Sequence, residues 1–154
     1  MPAINAQYLR GLIHWTLRQI DMHSPAAEEL LLGTAAHESH LGKYLRQING
    51  PARGVYQMEP WVEQDIWENY LSYRPARIQR IIDITGINSP DHNHLQYNPV
   101  YATIMARLHY RRISTPLPPA NDLEQLAHYW KAHYNTAAGR GTPDQFITDY
   151  RRLA

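Results

Sequence analysis

The chain has 154 residues, of which 44% are hydrophobic and 19% charged, and its formal net charge is +1 with histidine neutral. The length suffices for one domain with its own core, the composition excludes a disordered chain, and the charge gives no basis for binding nucleic acid. The absence of cysteine excludes disulfides and cysteine-ligated metal sites. Since no apolar run reaches membrane-span length and no signal-like N-terminus is present, we expect a cytoplasmically made protein that is not membrane-embedded.

Helical periodicity dominates the first forty residues. Apolar side chains at helix spacing over residues 9–20 predict the first helix. Ser24 and Pro25 have the residue types favoured at the N-cap and first position of a second helix. This second helix is apolar nearly all round, so we expect it at the centre of the domain. Gly42 is its predicted end.

The middle of the chain contains more turn-forming residues. Residues 43–59 predict a loop, and a short hairpin over residues 45–58 is the one candidate for extended structure. Pro60 opens a predicted amphipathic helix, and residues 75–84 predict a shorter one. The segment NSPDHNHLQ, residues 88–96, is typical of turns.

Cap signals define the last helices. Asn98, followed by proline, predicts the start of a strong helix. Asn121 with Glu124, and Thr142 with Gln145, have the spacing of capping boxes. The pattern therefore predicts a single all-α domain that spans all 154 residues.

The stretch AAHESHLG places Glu38 between two histidines, which raises the question of a metal site. Zinc proteases of the zincin type need two histidines at i and i+4, but His37 and His40 are three residues apart. His92 and His94 are a pair of the kind that is usually solvated. We therefore predict no metal and no cofactor.

An acid catalyst is the alternative interpretation of Glu38. Leu31 and Ala35 precede it on the same helical face, so the carboxyl should project from apolar surroundings at the end of the central helix. Burial and the negative end of the helix dipole both raise a carboxyl pKa towards the range of a general acid. Composition alone favours a solvated glutamate, or one paired with Arg46 or Arg53.

A family resemblance supports the acid interpretation. Four blocks occur in order: Glu38-Ser39, ARGVYQMEP at residues 52–60, Asn98-Pro99, and AHYNTAAG at residues 132–139. Together they resemble the signature of lysozyme-like proteins of the soluble-lytic-transglycosylase type, over roughly residues 30 to 140. ESHLG is also similar to a run in goose-type lysozymes. The chain departs from the pattern at Pro51, where the family usually has glycine.

The resemblance implies a lysozyme-like fold and a peptidoglycan glycan strand as substrate. Glu38 would be the catalytic acid and then base at the β-1,4 bond between N-acetylmuramic acid and N-acetylglucosamine, giving a 1,6-anhydromuramoyl product. The implied substrate-binding residues are Gln57, Tyr134, Asn135, Ser39, Tyr56 and Met58. For Ser39 a hydrogen bond to its own helix is an equal alternative, for Tyr134 plain packing is the alternative, and for Met58 a place in the groove wall or core is favoured.

Glu59 is a candidate second carboxylate. Goose-type lysozymes tend to carry an acidic residue at the matching position, where it could position a water molecule and make the protein a muramidase. A charge placed before the helix at Pro60, where the dipole favours it, is the competing explanation.

Tryptophan and acidic residues elsewhere in the chain have other expected places. Trp61 is the candidate for stacking on a sugar face, whereas Trp67 and Trp130 lie on apolar stripes and are expected in the core. Glu63 and Asp65 are expected to be solvated.

The competing class of function is a non-catalytic virion or assembly module that keeps a lysozyme-like fold. Without a recognisable leader, anchor or wall-binding repeat, we expect a phage protein that acts on the cell wall, either at lysis or from the virion. A specialised secretion apparatus is the alternative setting. Other proteins of the virion or apparatus are then expected partners besides peptidoglycan.

Overall fold

The computed structural model describes residues 3–47, 50–135 and 139–154. Over these ranges the chain forms α1 (Ala6–Gln19), α2 (Pro25–Ser39), α3 (Pro60–Asn69), α4 (Pro75–Thr85), α5 (His92–Tyr97), α6 (Pro99–Arg111), α7 (Leu123–Trp130) and α8 (Pro143–Leu153). A 3-10 turn follows α3 at Leu71–Tyr73, and a π-helix at Lys131–Asn135 directly continues α7. The all-α prediction is confirmed. In the ranges described, no helix combines the length and apolar character needed to cross a membrane.

The candidate hairpin is present only as two isolated bridges, which join Arg53 to Arg46 on one side and to Met58 on the other. Arg53 and Met58 exchange both backbone hydrogen bonds, at 2.9 and 3.1 Å, across a tight turn. Residues 48–49 of the predicted loop lie outside the described residues. The segment predicted as a hairpin is therefore a loop with two paired positions, and the residues described contain no strand.

Helix α2 is the centre of the domain, as its uniformly apolar sequence predicts. The Ser24 side chain caps it by accepting a hydrogen bond from the backbone N–H of Ala27 at 3.1 Å, and Pro25 is its first residue. Residues 30–36 are buried without interruption. Since α1, α6, α7 and α8 all pack against it, no face of α2 is left for solvent along this stretch.

One of the two predicted capping boxes is confirmed. Thr142 accepts from the backbone N–H of Gln145, and the Gln145 side chain accepts from the backbone N–H of Thr142. The other prediction is one residue out, because Asp122, and not Asn121, caps α7 by accepting from the backbone N–H of Gln125 at 3.0 Å. Both residue types cap well, and the carboxylate of Asp122 also accepts from the Gln125 side chain.

The prediction of turn over residues 88–96 is wrong for its second half, which forms most of α5. Asp91 caps this helix through the backbone N–H of His94, at 3.3 Å. α5 has only six residues and directly follows turn-forming residues, so the sequence pattern did not indicate a helix here. α5 then leads through Asn98, the predicted cap, into α6, which confirms that helix start.

The exit from α2 differs from the predicted stop at Gly42. The helix ends at Ser39, and His40, Leu41 and Gly42 all have positive φ, at 50°, 56° and 85°. Such angles are strained for the two residues that carry a Cβ. The buried Ser39 hydroxyl holds this turn, since it accepts from the N–H of Gly42 at 2.8 Å and donates to the carbonyl of Val55 at 2.6 Å. The end of α2 and the loop that follows are thus fixed to each other.

Gly33 is where α2 and α8 approach most tightly, and it yields a first prediction. A Cβ at this position would lie 2.8 Å from Cε1 of Phe146 and closer still to Cζ, and the Phe146 ring is itself fully buried against Trp130. We expect Gly33→Ala to lower the free energy of unfolding by about 1–3 kcal/mol through overpacking, despite alanine's better helix propensity. Urea unfolding followed by circular dichroism measures the change.

Gly11→Ala is the matched control, because a Cβ on this exposed glycine of α1 would meet nothing within 4 Å. It should stabilise the protein by about 0.5–1 kcal/mol. Equal stabilisation by the two substitutions would contradict the close packing of α2 against α8.

Candidate active site

A cleft of about 570 Å³ opens at the C-terminal end of α2. Its walls come from α2, the loop before α3, the start of α3, α6, the π-helix and the segment before α8. The predicted site residues that line it are Glu38, Gln57, Met58, Glu59, Tyr134 and Asn135. The chain therefore brings together blocks that are separated by almost a hundred residues of sequence.

Glu38 lies in the last turn of α2 and is only partly exposed to the cleft. Burial raises its pKa to about 7, the direction expected from the sequence, while the hydrogen bond from Trp130 acts in the opposite sense. That bond runs from the indole Nε1 to Oε2 of the carboxyl, at 3.0 Å. The alternative ion pairs with Arg46 and Arg53 do not form among the described residues.

Trp130 is the site residue that the sequence did not reveal. It is fully buried, so its expected place in the core is correct, and its ring packs on His37 and Phe146 with centroid distances of 4.5 and 5.3 Å. A buried indole N–H nevertheless needs an acceptor, and Glu38 provides it. The sequence predicts both a tryptophan in the core and a carboxyl in apolar surroundings. That combination was the available signal for a hydrogen bond between them.

The π-helix positions Tyr134 at the cleft. Its hydroxyl donates to the backbone carbonyl of Tyr56 at 2.6 Å, and its ring stacks on Tyr110 with a centroid distance of 5.3 Å. Burial, reinforced by the nearby charge of Glu38, raises the Tyr134 pKa well above its usual value, so the phenol stays neutral. The hydroxyl that was expected to contact substrate is therefore used to hold the loop at Tyr56. Single π-turns of this kind are frequent at functional sites.

Asn135 ends the π-helix at the cleft edge. Its side-chain oxygen accepts from Lys131 Nζ at 2.8 Å, and the same ammonium donates to the carbonyl of Gly139 at 2.9 Å. Residues 136–138 of the AHYNTAAG block lie outside the described residues. Lys131 thus links Asn135 to Gly139, the described residues on either side of positions 136–138.

Gln57 lies in the cleft wall, but its amide nitrogen is used by the loop, where it donates to the carbonyls of Tyr44 and Gly54 at 3.0 and 2.9 Å. Gln57 also has a φ of 50°. Gly54 has a φ of 84°, and a Cβ there would overlap the carbonyl oxygen of Leu95. Only glycine can occupy position 54, where the loop comes close to α5. This is the physical reason for a glycine at this point of the ARGVYQMEP segment.

Ser39 and Tyr56, which were predicted to bind substrate, do not reach the cleft. Both side chains are buried, and neither lines it. The Ser39 hydroxyl bonds the carbonyls of Ala35 and Val55, so its backbone-bonding alternative is the observed one. The Tyr56 hydroxyl bonds Thr103 Oγ1 at 2.7 Å, and burial raises its pKa. Both side chains hold neighbouring segments in place below the cleft surface.

Glu59 and Trp61 also line the cleft. The Glu59 carboxylate accepts a hydrogen bond from the indole N–H of Trp61, and it makes no side-chain cap on α3. Trp61 is 66% exposed, so it remains the aromatic residue available at the groove. Trp67 is buried in the core, as expected.

Glu63 was expected in solvent, and that prediction is wrong. The residue is 0% exposed, and its carboxylate accepts hydrogen bonds from the Tyr101 hydroxyl and, at 2.8 Å, from the backbone N–H of Asp91. Burial raises its pKa. Both donors bond Oε2 and join α3 to α5 and α6, whereas Oε1 is buried without a hydrogen-bond partner among the described residues. Asp65 is partly exposed, with 41% of its side chain accessible to solvent, and pairs with Arg112 at 2.6 Å.

No protein-family model, no curated protein and no solved structure matches the chain. The cleft and the residues that line it are therefore the observations from which a function is inferred.

The raised pKa of Glu38 yields a second prediction, on stability. The native state holds this proton up to a pH of about 7 and the unfolded state only to about 4.5, so stability falls as the pH rises through that window. Glu38→Gln removes the ionisation, and we expect it to stabilise the protein at pH 8 by up to about 3 kcal/mol, with little change at pH 4. Urea unfolding at a series of pH values measures this difference.

Glu68→Gln is the control, since it makes the same chemical change on an exposed carboxylate of α3. A pH-independent effect of Glu38→Gln, or one that Glu68→Gln reproduces, would contradict the buried and protonated state of Glu38.

Proposed function

We propose that the protein cleaves the glycan strand of peptidoglycan by the single-carboxylate chemistry of lytic transglycosylases. The observation that carries the proposal is Glu38, a carboxyl with a pKa raised to about 7 in the wall of a cleft. The cleft volume of about 570 Å³ falls within the usual range for small-molecule and sugar sites. A general acid works best when its pKa lies near the working pH.

Glu38 would first donate its proton to the glycosidic oxygen between N-acetylmuramic acid and N-acetylglucosamine. The C–O bond breaks as the oxocarbenium-like centre develops, and the bond electrons leave with the protonated oxygen. The resulting carboxylate then accepts the proton of the muramoyl 6-hydroxyl as that oxygen attacks the anomeric carbon. The product is a 1,6-anhydro sugar, no water is consumed, and Glu38 regains its proton.

Trp130 supports the ionised stage of this cycle. Its N–H donates to Oε2 of Glu38 at 3.0 Å, and this bond favours the carboxylate, whereas burial favours the acid. The two effects together leave the pKa at a value where both protonation states are accessible near neutrality. A single residue can therefore act as acid and then as base.

The rest of the cleft suits a sugar. Trp61 offers an exposed aromatic surface for an apolar sugar face, and Met58 adds an apolar wall. The Gln57 amide nitrogen and the Asn135 amide oxygen are engaged within the protein, so the other polar atom of each amide is what these residues offer to the hydroxyl and N-acetyl groups of the glycan. We propose the lysozyme-like family, and a phage lysis or virion protein, as the setting for this activity.

A muramidase is the second candidate, because Glu59 lines the same cleft as Glu38. A second carboxylate can position a water molecule, which then replaces the 6-hydroxyl as the nucleophile. A non-catalytic module has less support. The raised pKa of Glu38 occurs together with access to a cleft, and an assembly domain needs no such combination.

The third prediction concerns activity. Glu38→Gln keeps the size of the side chain but removes the transferable proton, so we expect the release of muropeptides from purified peptidoglycan to fall by about 10²–10⁴-fold. The wild-type rate should decline as the pH rises through about 7, because the acid form of Glu38 is lost there. Glu124→Gln, on the exposed face of α7, should keep full activity. Equal rates for wild type and Glu38→Gln would overturn the proposal.

The fourth prediction separates the two chemistries. With Glu38 working alone, Glu59→Gln should keep the rate within about tenfold, because that carboxylate then takes no part in proton transfer. Mass spectrometry should show products lighter by one water than hydrolytic ones, for both wild type and variant. Reducing-end products that disappear with Glu59→Gln would instead establish the muramidase.

A further inference from the structure

Three potential metal ligands meet at the N-terminal end of α2, away from the cleft. His14 lies on the exposed face of α1, His23 in the loop between α1 and α2, and Glu28 in the first turn of α2. One ligand atom from each lies within 4.8 Å of the others. The two imidazole rings meet edge to face with a centroid distance of 4.6 Å.

The two histidines converge on one carboxylate oxygen. Oε1 of Glu28 lies 2.8 Å from Nδ1 of His14 and 3.5 Å from Nε2 of His23. With zinc bonds of about 2.0–2.1 Å, the ligands of a tetrahedral site are about 3.3–3.4 Å apart. The two distances to Oε1 lie on either side of that value, and all three ligand atoms lie within 4.8 Å of one another. An ion would take the place of the hydrogen bond between His14 and Glu28, and the side chains would rotate to bring the ligands to equal spacing.

His23 carries an unsatisfied atom that a metal would satisfy. Its Nε2 is inaccessible to solvent, yet within the described residues it makes no hydrogen bond. Buried polar atoms are nearly always paired, so such an atom calls for a missing partner. The atom faces the carboxylate that also contacts His14, which is where the ion would sit.

Arg10 is the neighbouring cation, and it uses the other side of the carboxylate. Its guanidinium lies 3.6 Å from Oε2 of Glu28 and makes its hydrogen bonds to Glu29. Oε1 of Glu28 is thereby left to the two imidazoles. One anionic carboxylate can bridge the guanidinium and a metal ion.

We propose that His14, His23 and Glu28 bind a divalent first-row transition metal of the zinc type. Two imidazole nitrogens and one carboxylate oxygen suit Zn²⁺ with a water as the fourth ligand, whereas Mg²⁺ and Ca²⁺ prefer all-oxygen sites. Glu28 precedes Glu38 by ten residues of one helix, which corresponds to about 15 Å. The ion would therefore tie α1 to the start of the central helix and would take no part in the chemistry at the cleft.

The fifth prediction tests this site with Zn²⁺ alone. Calorimetric titration of the full chain should show one tight equivalent, and Co²⁺ should give the visible absorption of a tetrahedral N/O site. We expect His14→Asn, His23→Asn and Glu28→Gln each to weaken Zn²⁺ binding by at least about tenfold, since even outer partners of a metal site contribute about 10–100-fold. Mg²⁺ should not compete.

His128→Asn is the control for unspecific binding, because it removes an exposed histidine of α7 that is outside the cluster. Circular dichroism verifies that each variant is folded, and Glu28→Gln keeps the shape of its side chain should a histidine variant fail to fold. Absence of Zn²⁺ binding by the wild type, or equal loss with His128→Asn and the cluster variants, would overturn the site. Since the readout is metal binding, it is independent of glycan cleavage.

Discussion

The whole candidate site depends on one buried carboxyl at the end of a helix that is surrounded on all sides. The last turn of α2 is partly exposed at the cleft, where burial and the negative end of the helix dipole both favour the protonated form of Glu38. The indole N–H of Trp130 limits the effect by stabilising the carboxylate. The apolar surroundings that place α2 at the centre of the domain thus also raise the pKa of the carboxyl at its end.

Two hydrogen bonds to backbone carbonyls hold the cleft around this carboxyl. Ser39 donates to the carbonyl of Val55, and Tyr134 donates to that of Tyr56, so neighbouring residues of one loop are tied to α2 and to the π-helix. Three separate segments of the chain are thereby fixed relative to Glu38. The resemblance assigned substrate contacts to Ser39 and Tyr134, and for both the structure shows a hydroxyl that organises the loop.

Local signals were predictable from the sequence, and long-range partners were not. Ser24 and Thr142 cap their helices as expected, because a cap requires only residues within one turn of each other. Asp122 displaced Asn121 because two adjacent residues offered equivalent caps. The burial of Glu63 and the bond from Trp130 to Glu38 depend on donors 38 and 92 residues away, which no periodicity encodes.

Glu38 and Glu63 show why a raised pKa alone does not mark a site. Burial raises the pKa of both carboxyls, but Glu63 is fully enclosed and receives hydrogen bonds from Tyr101 and from the backbone of Asp91. Such a carboxylate joins elements and has no route to a substrate. Among the described residues Glu38 has one donor, Trp130, and its surroundings open on a cleft with amide and aromatic groups. Access to a shaped space, added to the perturbed pKa, is what distinguishes a candidate acid catalyst from a structural carboxyl.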